Sequence, residues 1–267
     1  MKTKNTIDSM NTGGLLSNVF DNIPSYGIND KENHVYVNMI DVTTDTINLF
    51  KDSVIDQPFL HFQNGLFEEL AVTVRPGGPI NSPSGNSSLG FRVQSTATLD
   101  SRTGFVMSGH ATTGVNNIIR NNNSAGTTIG TVARRQFSGS VDAAFVAATS
   151  GTTLSTSILQ NNLITGTASQ NPANNSTVFF VGRNNTSTAR SGTVVSTNHS
   201  ANLNGVTLTN LTRANFSPVP APGDSGGLVY QHTIPQAGVI VGGNVVSAHG
   251  SFTKISLILA ALQVRLF

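Results

Sequence analysis

The sequence predicts a mainly β protein: a barrel or sandwich of about 200 residues, ending in a helix and preceded by a small acidic module. Three observations predict it. From Ala71 onward, short β-branched runs recur between Gly, Asn, Ser and Pro clusters. Long Ala/Glu/Lys/Leu stretches, the mark of helical bundles, are absent. The charge divides sharply: residues 1–70 hold four Lys against ten Asp/Glu, net −6, whereas residues 71–267 hold eleven Lys/Arg against three Asp, net +8. Opposite charge on two parts of one chain favours their mutual attraction.

The elements follow in order. Residues 1–30 show no periodicity and read as loosely ordered, and no apolar run follows Met1–Lys4, so no secretory signal is read. Over residues 34–63, apolar and polar side chains alternate at Val35, Val37 and Met39, at Ile47 and Leu49, and at Leu60 and Phe62. These predict short strands, with a turn at Thr43-Thr44-Asp45. In the body, strands are expected at 89–94, 103–107, 128–133, 143–147, 177–181, 192–196, 205–211, 227–230 and 238–241. In residues 251–267, Ile255, Leu259, Leu262 and Leu266 recur at helical spacing and predict a terminal helix. That segment is too short, and too charged at Lys254 and Arg265, to span a bilayer.

Composition removes several function classes. Only 10% of the 267 residues are charged and none is Cys, so disulfide scaffolds, Cys-based metal sites and cysteine nucleophiles are excluded. Basic residues are scattered, with only Arg134 and Arg135 adjacent, and no aromatic stripe joins them, which argues against nucleic acid. The body has three carboxylates, Asp100, Asp142 and Asp224, and none looks like a partner for another, as glycosidase chemistry requires. His110, His199, His232 and His249 lack metal-binding spacing. No metal or cofactor is expected.

Three local contexts remain. Residues 103–111 read as a strand whose small end residues, Ser108 and Gly109, present His110. Residues 141–146 carry Asp142 into an apolar strand. Residues 222–227, Pro-Gly-Asp-Ser-Gly-Gly, set Ser225 in a tight glycine turn whose backbone N–H groups can converge on one point. The order His, Asp, Ser is one of those known for an acyl-transfer triad.

On these stretches, with Val74–Gly78, Ser88–Phe91, Ile129–Val132, Gly182-Arg183, Gly192–Val194 and Gly238–Asn244, residues 71–267 resemble a chymotrypsin-fold serine protease of the bacterial α-lytic-protease-like group. The resemblance implies a double six-stranded Greek-key β-barrel with a C-terminal helix, acting as a monomer on polypeptide substrates, with no nucleic-acid or membrane partner. Ser225 would be the nucleophile, His110 the base and Asp142 the residue that orients the imidazole, with the amides of Gly223 and Ser225 as the oxyanion hole. Asp224 resembles the family's structural acid, and Asp100 receives no role. Val219, Pro220, Ile240, Val241, Gly242 and Gly243 would line the substrate site, so that an apolar pocket takes small or medium uncharged side chains; His249 lies a few residues further on. Residues 1–70 would be a pro-region acting in cis, removed near Leu70–Ala71, and secretion is implied.

Two departures stand out. Where relatives pair cysteines, this chain has Ser87 and Ala111, Val181 and Ser191, and Val219. Where relatives place a Ser whose hydroxyl supports the triad Asp, it has Val241. The latter motivates an alternative reading, a catalytically weak or inactive protease-fold binding module. An assembly-forming structural protein is a second alternative.

Overall fold

The structure is a computed structural model that describes residues 2–12, 16–65, 72–184, 188–232, 239–246 and 249–267. The expected cut at Leu70–Ala71 and the side chain of Ile240 lie outside the described residues. The chain forms two compact units, Met1–Glu69 and Leu70–Phe267.

The first unit is α/β. Helices α1 (Lys2–Thr12) and α2 (Ser17–Phe20) precede strands β1 (Ser25–Asn29) and β2 (His34–Met39); helix α3 (Thr44–Ser53) then leads to β3 (Leu60–Asn64). Strands β1 and β2 are antiparallel, whereas β2 and β3 are parallel, so α3 is the crossover between them. Val35, Val37 and Met39 bury the expected face of β2 against Ile7, Phe50 and Val54.

Two expectations fail here. Residues 2–12 are helical: the aperiodic sequence hides a Lys4–Asp8 pair at 2.7 Å, one turn apart, and a buried apolar anchor, Ile7. The Ile47/Leu49 run is also helical. Thr43 and Thr46 form a reciprocal capping box, with Thr46 N–H donating to Thr43 Oγ1 at 3.2 Å and Thr43 N–H to Thr46 Oγ1 at 2.9 Å. Phe50 is buried while Leu49 is 43% exposed, so the period of two at 47–49 was coincidental.

The second unit is mainly β. Its first part holds β4 (Val72–Val74), β5 (Pro79–Ser82), β6 (Gly85–Ser88), β7 (Arg92–Ser95), β8 (Thr103–Met107), β9 (Ile118–Asn121), β10 (Thr128–Ser138), β11 (Val141–Ala148) and β12 (Thr152–Leu154). Six of these, in the order β7-β8-β11-β10-β9-β5, form the body of a sheet that β6 extends at one end. Ile80 of β5, Met107 of β8, Ile119 of β9 and Val146 of β11 share one core, as a sheet curled on itself requires.

The second part holds β13 (Thr165–Ser169), β14 (Thr177–Val181), β15 (Arg190–Leu203), β16 (Val206–Ser217), β17 (Leu228–His232), β18 (Val239–Val245) and β19 (Ser251–Lys254), followed by α4 (Ile255–Leu262) and β20 (Val264–Arg265). Strands β18-β17-β14-β15-β16-β19 form a ring, closed by pairing between β18 and β19. The expected terminal helix is thus shorter than 251–267. Ser251–Lys254 closes the barrel, and β20 returns to pair with β7 of the first sheet.

Strand β11 is buried on both faces. Ala144 and Val146 face the first barrel's interior, whereas Val141, Ala143, Phe145 and Ala147 join a core shared with Leu228, Tyr230 and the α4 residues Ile255, Ile258 and Leu262. Asp100, given no role from sequence, anchors the far side of this seam. Its carboxylate meets Arg134 Nη1 at 2.7 Å and Arg102 Nε at 2.8 Å. Arg134 Nε in turn donates to the Leu262 carbonyl at 2.6 Å, at the end of α4. The bonds from Arg102 and then Arg134 hold the Asp100 carboxyl far below its ordinary range.

Candidate active site

His110 follows β8 through Ser108 and Gly109. Gly109 is required because a Cβ there would lie 2.5 Å from the Gln136 carbonyl. Asp142, fully buried at the start of β11, receives His110 twice: the backbone N–H donates to Oδ1 at 2.7 Å, and ring Nδ1 lies 2.6 Å from Oδ2. A carboxylate can only accept, so Nδ1 carries the proton and Nε2 presents its lone pair. Ser225 Oγ lies 3.0 Å from that Nε2. The second barrel fixes Asp142 from behind, where Asp142 N–H donates to Thr253 Oγ1 at 3.3 Å and Asn244 Nδ2 donates to the Asp142 carbonyl at 3.1 Å.

Ser225 sits in the turn between Gly223 (φ 100°) and Gly226 (φ 88°), both in the region that favours glycine. Asp224 anchors the turn from inside: Asn184 N–H donates to Oδ1 and Ala221 N–H to Oδ2, each at 2.9 Å, and Arg190 Nη1 lies 3.7 Å from Oδ2. The turn's carbonyls also face inward. Ser225 O accepts from Ser88 N–H at 2.9 Å, and Gly223 O accepts from Ser88 Oγ at 2.7 Å. The amides of Gly223 and Ser225 donate to no group among the described residues. Two such N–H groups beside a hydroxyl are what an oxyanion site requires.

Beside Ser225 and His110 lies a cavity of about 250 Å³, walled by Leu203, Ala221, Pro222, Val245 and Val246, with Asn202 and His249 also on its lining. His249 is exposed there. Burial, and then the charges of Arg213 and His249, hold the His199 imidazole below its ordinary value.

The structure brings His110, Asp142, Ser225 and Gly223 together but not the expected substrate-site residues. Val219 is 58% exposed, with its carbonyl held by Arg190 Nη1 at 2.7 Å. Val219, Pro220, Val241, Gly242 and Gly243 are not on the cavity lining. Val241 instead pairs with Tyr230 and packs in the core between the barrels. The reason is register. The strand continues to Val245, whose backbone exchanges bonds with Gly226 and Gly227 at 2.8 and 2.9 Å and whose carbonyl accepts from Ser108 Oγ at 3.0 Å. From this strand it is Asn244 that reaches the Asp142 backbone.

Sequence reasoning also missed Asn202 and Leu203, which arrive on the long β15–β16 hairpin. Its turn carries a readable signal, Asn204-Gly205, both at positive φ, but that signal does not say where the hairpin tip lands. Asn244, Thr253 and Arg190 carry no local signal at all.

Residues 1–65 match a family described as a Pro-like C-terminal domain. Among solved structures, Thermobifida fusca protease A is 25% identical, with a TM-score of 0.59 over 73% of this chain and 98% of that one. Cellulomonas bogoriensis chymotrypsin is 23% identical, with a TM-score of 0.57 over 73% and 99%. The α-lytic protease homologue N4 is 20% identical, with a TM-score of 0.56 over 73% and 100%. No curated protein sequence matches the chain significantly. The β body therefore has the chymotrypsin fold of the α-lytic-protease-like serine proteases, behind an N-terminal Pro-like domain.

Proposed function

We propose that the chain is a serine endopeptidase made as a zymogen. Ser225 Oγ attacks the scissile carbonyl as its proton passes to His110 Nε2, and the imidazolium is stabilised by Asp142 through Nδ1–H. The tetrahedral oxyanion is held by the Gly223 and Ser225 amides, each worth on the order of 3 kcal/mol to the transition state. His110 then protonates the leaving amine, and water, with the same base, releases Ser225 from the acyl-enzyme. The observation that carries this reading is the unbroken line from Asp142 Oδ2 through His110 to Ser225 Oγ, at 2.6 and 3.0 Å.

The apolar walls of the 250 Å³ cavity support preference for small or medium uncharged side chains. The Pro-like match over residues 1–65 and the −6/+8 division of charge support a pro-region acting in cis. A fluorophosphonate probe tests the chemistry. Ser225 labels in the processed protein, and label is lost in Ser225→Ala and His110→Ala; a processed, folded wild type that stays unlabelled overturns it. N-terminal sequencing of the processed product tests the zymogen, with a start expected close to residue 71.

A further inference from the structure

One short hairpin grips both loops of the candidate site. In β5–β6, Ser82 Oγ donates to the carbonyl of Ala111, the residue after His110. Ser87 Oγ donates to the Ser225 carbonyl at 2.6 Å, joining the Ser88 N–H already on that oxygen. Ser88 Oγ donates to the Gly223 carbonyl at 2.7 Å while accepting the Arg183 N–H at 2.8 Å. All three serines are buried.

These bonds land on alternate peptide planes of the nucleophile turn. Asn184 Nδ2 holds the Pro222 carbonyl at 2.9 Å, and Gly227 N–H holds the Asp224 carbonyl at 2.9 Å. The Gly223 and Ser225 amides belong to these two planes, and the plane that follows each, with the carbonyl of Gly223 or Ser225, is held by Ser88 or Ser87. Peptide planes are rigid, so fixing four in succession fixes the direction of the Gly223 and Ser225 amides. Ser87 and Ala111 stand where the resemblance implies cysteines, and both are here tied by serine hydroxyls.

We propose that the β5–β6 hairpin is a polar clamp, with Ser82, Ser87 and Ser88 as positioning residues that hold the base loop and the oxyanion amides in register in a chain without disulfides. The proposal rests on the serine-protease reading above.

The test uses Ser87→Ala, Ser88→Ala and the double variant, expressed as the full 267-residue chain, with kcat counted per titrated active site so that partial folding does not enter. The double variant loses about 10- to 100-fold in kcat with KM within about twofold, and a peptide aldehyde, whose hemiacetal oxygen occupies the same hole, weakens in parallel. Ser88→Thr, which keeps the hydroxyl, restores most of the loss. A folded double variant with unchanged kcat and aldehyde affinity, or one that loses only thermal stability, overturns the clamp. An inert wild type refutes the protease reading instead; the clamp is then judged by hydrogen exchange at the Asp224 and Gly226 amides. Exchange about tenfold faster in the double variant is expected, and unchanged protection refutes it.

Discussion

Arg190 Nη1 lies 3.7 Å from Asp224 Oδ2, placing a cation against the buried carboxylate that immediately precedes Ser225. The same carboxylate takes two backbone amides, from Ala221 and Asn184. The nucleophile turn is therefore held from inside by a charge that touches no substrate.

Asp224→Ala leaves the Asn184 and Ala221 amides without their acceptor and Arg190 without its counter-charge. Removing one partner of a buried charged network costs about 3–5 kcal/mol. Urea denaturation will show that loss, together with weaker fluorophosphonate labelling, and unchanged stability would contradict the assignment.

Asp142→Asn keeps the shape of the site but replaces an obligate acceptor with a group that also donates. The imidazole then loses its fixed tautomer, and kcat falls on the order of 10⁴-fold. Peptide hydrolysis by the folded variant checks this. A loss below about tenfold would mean that Asp142 does not orient His110.

Gly226→Ala places a Cβ 2.5 Å from the Ser88 carbonyl and 2.8 Å from the Ser108 amide, at a φ of 88°. Both obstacles are backbone, so the turn must shift. The expected outcome is a stability loss of about 3 kcal/mol or more, with labelling at Ser225 abolished.

Asp100→Asn tests the seam at the end of α4. The Asp100 carboxyl is held low by Arg102 and Arg134, so its contribution is complete above the unfolded value near pH 4 and is lost as pH falls towards the folded value. The variant should melt about 2–4 °C below wild type at neutral pH, with the gap closing under acid. A gap that persists at low pH would trace the effect to packing.

Legibility in the sequence differed from element to element. The strand at Thr103–Met107 and the one at Thr177–Val181 match the expected bounds, because each is an apolar run between turn residues. The Pro-like unit was misread at α1 and α3. There the deciding interactions are a Lys4–Asp8 pair, a Thr43/Thr46 capping box and the burial of Ile7 and Phe50 on a sheet not yet formed when the sequence is read.

The expected substrate-site residues lie off the cavity beside Ser225 for a reason of register. Val241 and Val245 lie four residues apart on β18, but the register shifts between them, so Val241 packs in the core between the barrels and Val245 in the core of the second barrel. A bulge adds one residue to the strand, so hydrophobic alternation cannot choose which stretch of β18 adjoins Ser225. The choice is made by long-range bonds from Val245 to Gly226 and Gly227.

The sequence by itself determined the mainly β class, the absence of thiol chemistry, and the local contexts of His110, Asp142 and Ser225, because turn chemistry and strand patterning act over a few neighbouring residues. Tertiary structure alone decided the register of β18, the landing of the β15–β16 hairpin beside Ser225, and the grip of Ser82, Ser87 and Ser88 on the two loops. Those contacts join residues distant in the chain, 29 positions apart for Ser82 and Ala111 and 138 for Ser87 and Ser225, and form only as the strands come together in the tertiary fold.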